Sequence, residues 1–139
     1  MKTQIMKHFF LSACVVIILS VTTGCSTLAD AKAARGTGTI RIYDKPYDVV
    51  WDAVLASIKS TSLALVVENK SDGTILAQGA IGVFSWGENV AVYVDDADGK
   101  VKTRVEIINK RALATNITAA DWENRLSSAI DSRLATQGH

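Results

Sequence analysis

Tyr47-Asp48-Val49-Val50-Trp51-Asp52-Ala53-Val54-Leu55-Ala56-Ser57-Ile58 is the stretch on which the fold turns. Its side chains at 47, 50, 51, 54, 55 and 58 recur at helical spacing, so an amphipathic helix would carry them as one apolar stripe. Asp44-Lys45-Pro46 precedes the stripe, with Asp44 as a cap candidate and Pro46 suited to a first helical turn. Burying each such side chain is worth roughly 1.5–3 kcal/mol gross, most of which chain entropy takes back. The helix therefore needs an apolar surface to lie on.

Alternating segments on both sides supply that surface. Upstream, Thr39-Ile40-Arg41-Ile42-Tyr43 puts Ile40 and Ile42 on one face of a short strand. Downstream, Leu63, Leu65 and Val67 share a face, and Ser71-Asp72-Gly73 marks a tight turn. Residues 74–83 form a second strand candidate, loosened by Gly79 and Gly82. Val90, Val92 and Val94 point inward on a third, and Asp98-Gly99 turns the chain again. Val101, Thr103, Val105 and Ile107 then alternate with Lys102, Arg104 and Glu106, the pattern of a half-solvated antiparallel strand. A closing helix carries Trp122, Leu126, Ala129, Ile130 and Leu134 inward, with Asp121, Glu123, Arg125 and Arg133 outward and a capping arrangement between Thr118 and Asp121. The predicted order is β-α-β-β-β-β-α: an α+β fold with two helices on one face of a twisted antiparallel sheet. Trp51 and Trp122 fall on the helix stripes as core residues.

The N-terminal region follows a different logic. Lys2, Lys7 and His8 precede an apolar run over residues 9–19, and the first acid is Asp30. A positive region followed by about eleven apolar residues is the pattern of a secretory signal, too short for a spanning helix of about 20. The run ends in Val21-Thr22-Thr23-Gly24-Cys25-Ser26. This resembles the lipobox of bacterial lipoproteins, with Thr22 where that motif usually has Leu. The resemblance implies a diacylglyceryl group on the Cys25 thiol, cleavage between Gly24 and Cys25, and acylation of the new amine. Two or three acyl chains anchor stably where one binds only marginally. Ser26, rather than Asp, after the cysteine implies sorting to the outer membrane, facing the periplasm. Cys14 would leave with the signal, so the domain is expected to fold without a disulfide.

The expected organisation is a lipoprotein signal peptide over 1–24, a lipidated N-terminus and flexible tether over 25–38, and one α+β domain over 39–139. The tether is inferred from small and polar residues with no large apolar periodicity beyond Leu28. The helix beginning Tyr47-Asp48-Val49-Val50-Trp51, the Gly-bearing hairpin, and Thr103-Arg104-Val105-Glu106-Ile107 together resemble small bacterial outer-membrane lipoproteins of uncharacterised families. More distantly they are similar to the helix-grip modules of the C-component lipoprotein of the outer-membrane β-barrel assembly machine. Those motifs are packing patterns, so they imply fold and address rather than activity.

Composition narrows the chemistry. The 15 basic residues nearly balance the 14 acidic ones, and two of the basic ones precede Gly24, so no nucleic-acid partner is expected. After cleavage the single His would be His139, and an acylated Cys25 is no longer a nucleophile. No catalytic residue, metal site or cofactor is assigned. Asp95-Asp96-Ala97-Asp98-Gly99 fails the calcium-loop pattern, because Gly99 at position six puts Val94 at one and Val105 at twelve. A carboxylate pair such as Glu88 and Asp95 is conceivable, but no spacing selects it.

Gly79-Ala80-Ile81-Gly82-Val83-Phe84-Ser85-Trp86-Gly87 lacks the Gly-Lys-Ser/Thr of a phosphate loop. Phe84 and Trp86 either cover the sheet or, exposed, form an aromatic patch for a protein, a glycan or the lipid interface. Lys110 and Arg111, at the start of the connection to the last helix, are further contact candidates. The expected function is non-catalytic: an envelope lipoprotein held to the membrane by its N-terminal lipid and working on an envelope protein partner. The alternative is a carrier or sensor holding a small apolar ligand between sheet and helix, with Ala77, Gly79 and Gly82 making room. A carboxylate hydrolase is the least supported reading.

Overall fold

The computed structural model describes residues 26–82, 85–99, 101–111 and 120–136. The chain runs α1 (Leu28–Ala33), β1 (Thr39–Tyr43), α2 (Tyr47–Lys59), β2 (Ala64–Asn69) and β3 (Thr74–Gln78). It continues through β4 (Ile81–Gly82), β5 (Ser85–Trp86), β6 (Glu88–Asp96), β7 (Thr103–Arg111) and α3 (Trp122–Thr136). Five strands form one antiparallel sheet in the order β1-β7-β6-β3-β2, while β4 and β5 form a hairpin of their own. The expected α+β architecture is thus present.

The apolar stripe of α2 does what its spacing demands. Val50, Trp51, Val54 and Ile58 are buried against Ile75, Ala77, Val90, Val92, Val94, Val105 and Ile107. Trp122, Leu126, Ile130 and Leu134 of α3 complete the same core. Every inward strand residue here is two positions from the next, as a pleated strand requires. Tyr47 stacks on Trp51 at 6.0 Å between ring centroids, and its hydroxyl donates to the Lys70 carbonyl at 2.6 Å. That bond ties the start of α2 to the β2–β3 turn. In that turn Gly73 has φ +62, and a Cβ there would stand 2.0 Å from the Val94 carbonyl oxygen, so only glycine fits.

Several local expectations are corrected. Asp44 does not cap α2; Pro46 is the cap residue without a side-chain bond, and Asp44 pairs with Lys102 at 3.3 Å. Asp121 is itself the cap acceptor of α3, taking the Asn124 N–H at 3.1 Å; Thr118 lies outside the described residues. A bulge between Leu65 and Val67 shifts the register, so Leu65 pairs with Ala77 on the helix face while Val67 pairs with Leu76 on the other. Ile40 and Ile42 do share a face, but it is the face away from α2 and α3, because they pair with Glu106 and Arg104. They remain 47% and 63% exposed. The strand expected over 74–83 stops at Gln78, and the chain resumes pairing as β4.

The largest difference concerns the stretch expected to be a tether. Residues 28–33 are a helix lying on the second face of the sheet. Ala31 is fully buried there with Leu76, Ala91, Tyr93 and Ile108, flanked by Leu28 and Ala34. Small side chains are what let so short a helix approach a sheet closely, which is why the stretch shows no large apolar periodicity. Its start is set by a capping box: the Thr27 hydroxyl accepts the Asp30 N–H at 3.3 Å, and the Asp30 carboxylate accepts the Thr27 N–H at 2.6 Å.

Candidate functional site

The course of α1 over the sheet is fixed at three heights along β6. The Asn89 amide donates to the Ser26 carbonyl at 2.9 Å, and Gln78 in turn donates to Asn89 at 2.9 Å. At the sixth residue of β6, the Tyr93 hydroxyl donates to the Lys32 carbonyl at 2.8 Å. Near the far end, Arg35 pairs with Asp95 and lies over the Tyr93 ring, 4.4 Å from its centroid. The N-terminal segment therefore runs from the Asn89 end of the sheet to the Asp95 end.

It then returns to start β1, and Glu106 holds the return. The Glu106 carboxylate accepts the Gly36 N–H at 2.6 Å, the Gly38 N–H at 3.0 Å and the Arg104 guanidinium at 2.9 Å. Burial pushes this carboxyl up, but the N–H groups of Gly38 and Gly36 and the Arg104 charge together hold it below its ordinary value. Arg104 also reaches Asp95 at 3.1 Å, joining the Arg35 pair to the Glu106 clasp. Gly38 is needed for the approach, since a Cβ there would stand 2.3 Å from the Ile107 carbonyl oxygen. Glu106 was expected on a solvated face; it is 0% exposed because this segment covers it.

Thr27, Asp30, Asn89 and Glu106 hold this segment, and the sequence marks them unequally. Thr27-Leu28-Ala29-Asp30 carries the capping-box signal before an Ala-rich turn, and that could have been read. Asn89 and Glu106 could not, because nothing local says that an alternating strand will be covered on its polar side.

Two of the candidate residues named from sequence, Lys110 and Arg111, fall at one end of the sheet. Lys110 pairs across from Asn89, and Arg111 from Glu88. The Gly79 N–H donates to the Glu88 carbonyl at 2.8 Å, and just beyond it springs the β4–β5 hairpin, in which Trp86 opposes Ile81. Phe84 lies outside the described residues, as do Gly24 and Cys25, but Ser26, the residue after Cys25, is held at this same end. The Asp30 carboxylate is taken up by Thr27 and the Asp121 carboxylate by Asn124.

A cleft of about 200 Å³ opens beside the hairpin base, lined by Ser62, Gly79, Ala80, Glu88, Ala120, Trp122 and Arg125. Arg125 lies over the Trp122 ring, 5.5 Å from its centroid. The region between the sheet and α2, where an apolar ligand was considered, is filled by Trp51, Val54, Ile58, Val90 and Val92. Ala77 belongs to that packed core; Gly79 lines the cleft instead. Glu88 and Asp95 stand seven residues apart on β6, roughly 23 Å at strand rise, well beyond the spacing of a glycosidase pair of about 5–10 Å. Among the described residues, no helix is long and apolar enough to cross a membrane.

The chain matches no protein-family model and no curated protein.

Proposed function

We propose that this chain is an envelope lipoprotein, acylated at Cys25, that works without catalysis as an accessory or protein-interaction module at the periplasmic side of the outer membrane. The observation that carries the reading is the docking of the segment that follows Cys25. With Ser26 bonded to Asn89 and α1 packed on the sheet, the folded body reaches to the residue next to the proposed acylation point. A lipid there would hold the body directly at the bilayer, rather than at the end of a flexible leash. Presenting a defined surface at a membrane is what an accessory module requires, and a docked N-terminus provides it.

The exposed edge strand β1, with Ile40 and Ile42 open on the second face, is the surface we assign to a protein partner. Such an edge offers unpaired backbone groups as well as apolar side chains. The carrier alternative gains nothing from the interior, which is packed, and the cleft at the sheet end is lined by Glu88 and Arg125 as well as apolar groups.

Membrane fractionation of wild type and Cys25→Ala, with mass spectrometry of the mature N-terminus, tests the anchor. Wild type should pellet with membranes and carry diacylglyceryl on Cys25, and the variant should be released. In-cell crosslinking from position 42 tests the partner. A variant that still pellets sinks the anchor, and an empty crosslinking profile sinks the contact surface.

A further inference from the structure

We propose that β1 pairs with the β1 of a second copy of this chain, antiparallel and centred on Ile42, so that the two five-stranded sheets join edge to edge. The inference rests on the assignment of β1 to a protein partner above, and it names that partner.

The two edges of the sheet are built differently. β2 carries a bulge between Leu65 and Val67, and Glu68 and Lys70 beside it are engaged in ion pairs with Lys59 and Asp48. Bulges and charges are the usual means of keeping an edge from pairing. β1 instead keeps an unbroken register of five pairs with β7, and Arg41 is its one charged residue. An edge left regular, with Ile40 47% and Ile42 63% exposed, is fit to take another strand.

Charge selects the occupant and its register. Thr39, Arg41 and Tyr43 share the helix face, since Arg41 pairs with the core residue Val105. Arg41 is exposed and has no ion pair among the described residues. Two positions on, the Tyr43 hydroxyl donates to the Asp131 carboxylate of α3 at 2.8 Å. The edge thus carries both halves of an ion pair, which is the self-complementarity that a two-fold interface needs. Centring on Ile42 sets each Arg41 opposite the other copy's Tyr43, beside Asp131, and lays Ile42 against Ile42. Centring on Arg41 would set two guanidinium groups directly opposite, a destabilising arrangement. Centring on Ile40 would draw in Gly38, whose N–H is already taken by Glu106. It would also set Arg41 beside Glu123, whose oxygens already serve Thr39 and Asn109.

The rest of the molecule leaves room. α3 lies over β7 and β1, bonded to both through Glu123. Strands about 4.8 Å apart put the two α3 helices roughly 10–14 Å from each other across the joined edge, no closer than the 8–10 Å of packed helices. The dyad stands perpendicular to the sheet, and α1 and Ser26 lie on the second face of each copy. Both proposed acylation points therefore face the same side, as a single bilayer requires.

The test places a thiol at the dyad of the full chain in membranes, with wild type under the same oxidation as the baseline. Facing Cα atoms of an antiparallel pair stand about 4.5–5.5 Å apart, within the roughly 4.4–6.8 Å that a disulfide spans. Ile42→Cys should therefore run as a linked dimer on non-reducing gels. Val66→Cys, at a position 50% exposed on the other edge, should not. Adding Arg41→Glu to Ile42→Cys should lower the dimer yield roughly tenfold, because two cross-strand attractions become repulsions. Adding Asp131→Arg as well should restore it, with circular dichroism unchanged throughout. No dimer from Ile42→Cys, an equal yield from Val66→Cys, or a yield indifferent to Arg41→Glu overturns the inference. A photocrosslinker at position 42 separates the two readings: capture of a different protein overturns the self-pairing and keeps the partner surface, whereas capture of nothing removes both.

Discussion

Glu106 is the residue on which the docked N-terminal segment depends, and Glu106→Ala tests that dependence. Its carboxylate takes three donors, the N–H groups of Gly36 and Gly38 and the Arg104 guanidinium, with no exposure to solvent. Hydrogen bonds to a charged acceptor contribute about 1.5–3 kcal/mol each, but the sum over three overstates the loss because a loosened segment rehydrates. Removing one partner of a buried ion pair costs about 3–5 kcal/mol, and Arg104 retains Asp95, which favours the lower figure. We therefore expect Glu106→Ala to cost about 3 kcal/mol, a large share of the roughly 5–15 kcal/mol of a domain this size. Urea denaturation followed by circular dichroism should show the midpoint fall, and the melting temperature should drop by roughly 12–24 °C. Glu106→Gln keeps a carbonyl acceptor for one or both backbone donors and should lose about half as much. Amide exchange at Gly36 and Gly38 should accelerate in both. A loss under about 1 kcal/mol for the alanine variant, with those amides still protected, would refute the clasp.

Acid should loosen the same clasp. Glu106 is held below its ordinary value of 4.5 in the folded chain, so its stabilisation is complete above that pH and is lost as pH falls through the lowered value; a urea midpoint that does not fall more steeply below about pH 4.5 in wild type than in Glu106→Gln argues against it. Thr27→Ala removes the cap of α1 and should cost about 0.5–2 kcal/mol, read as faster amide exchange across 28–33 with β6 unaffected. Gly38→Ala forces a Cβ to 2.3 Å from the Ile107 carbonyl oxygen and should cost about 1–3 kcal/mol; a melting temperature equal to wild type would contradict the close approach. Trp51→Ala empties the centre of the core and should cost about 3–5 kcal/mol, measured by the same urea midpoint.

The N-terminal segment also changes what the acylation site would do. A flexible leash would let the body tumble at a distance from the bilayer, whereas a segment pinned at Asn89, Tyr93 and Asp95 confines one end of the sheet. The edge strand β1 then lies at the other edge of the sheet from β2, with Ile40 and Ile42 exposed. The proposed acylation point, next to Ser26 at the Asn89 end, and the proposed partner edge would then occupy different parts of the body.

From the sequence by itself came the two helices and the five strands of the sheet. Their signals are periodicities, at 47, 50, 51, 54, 55 and 58 for α2 and at 90, 92 and 94 for β6, and a periodicity is complete within a dozen residues. The lipobox-like run ending at Cys25 is equally local. What only the tertiary structure decided was everything on the sheet's second face. Ala31 and Glu106 are unremarkable where they stand in the chain, and their burial arises from a contact spanning about seventy residues. The same holds for the gathering of Ser26, Asn89 and Lys110 at one end, since strand register is set by pairing across the sheet. Local patterning tells a strand which side may be apolar; only the assembled sheet determines whether the polar side will meet water or another part of the chain.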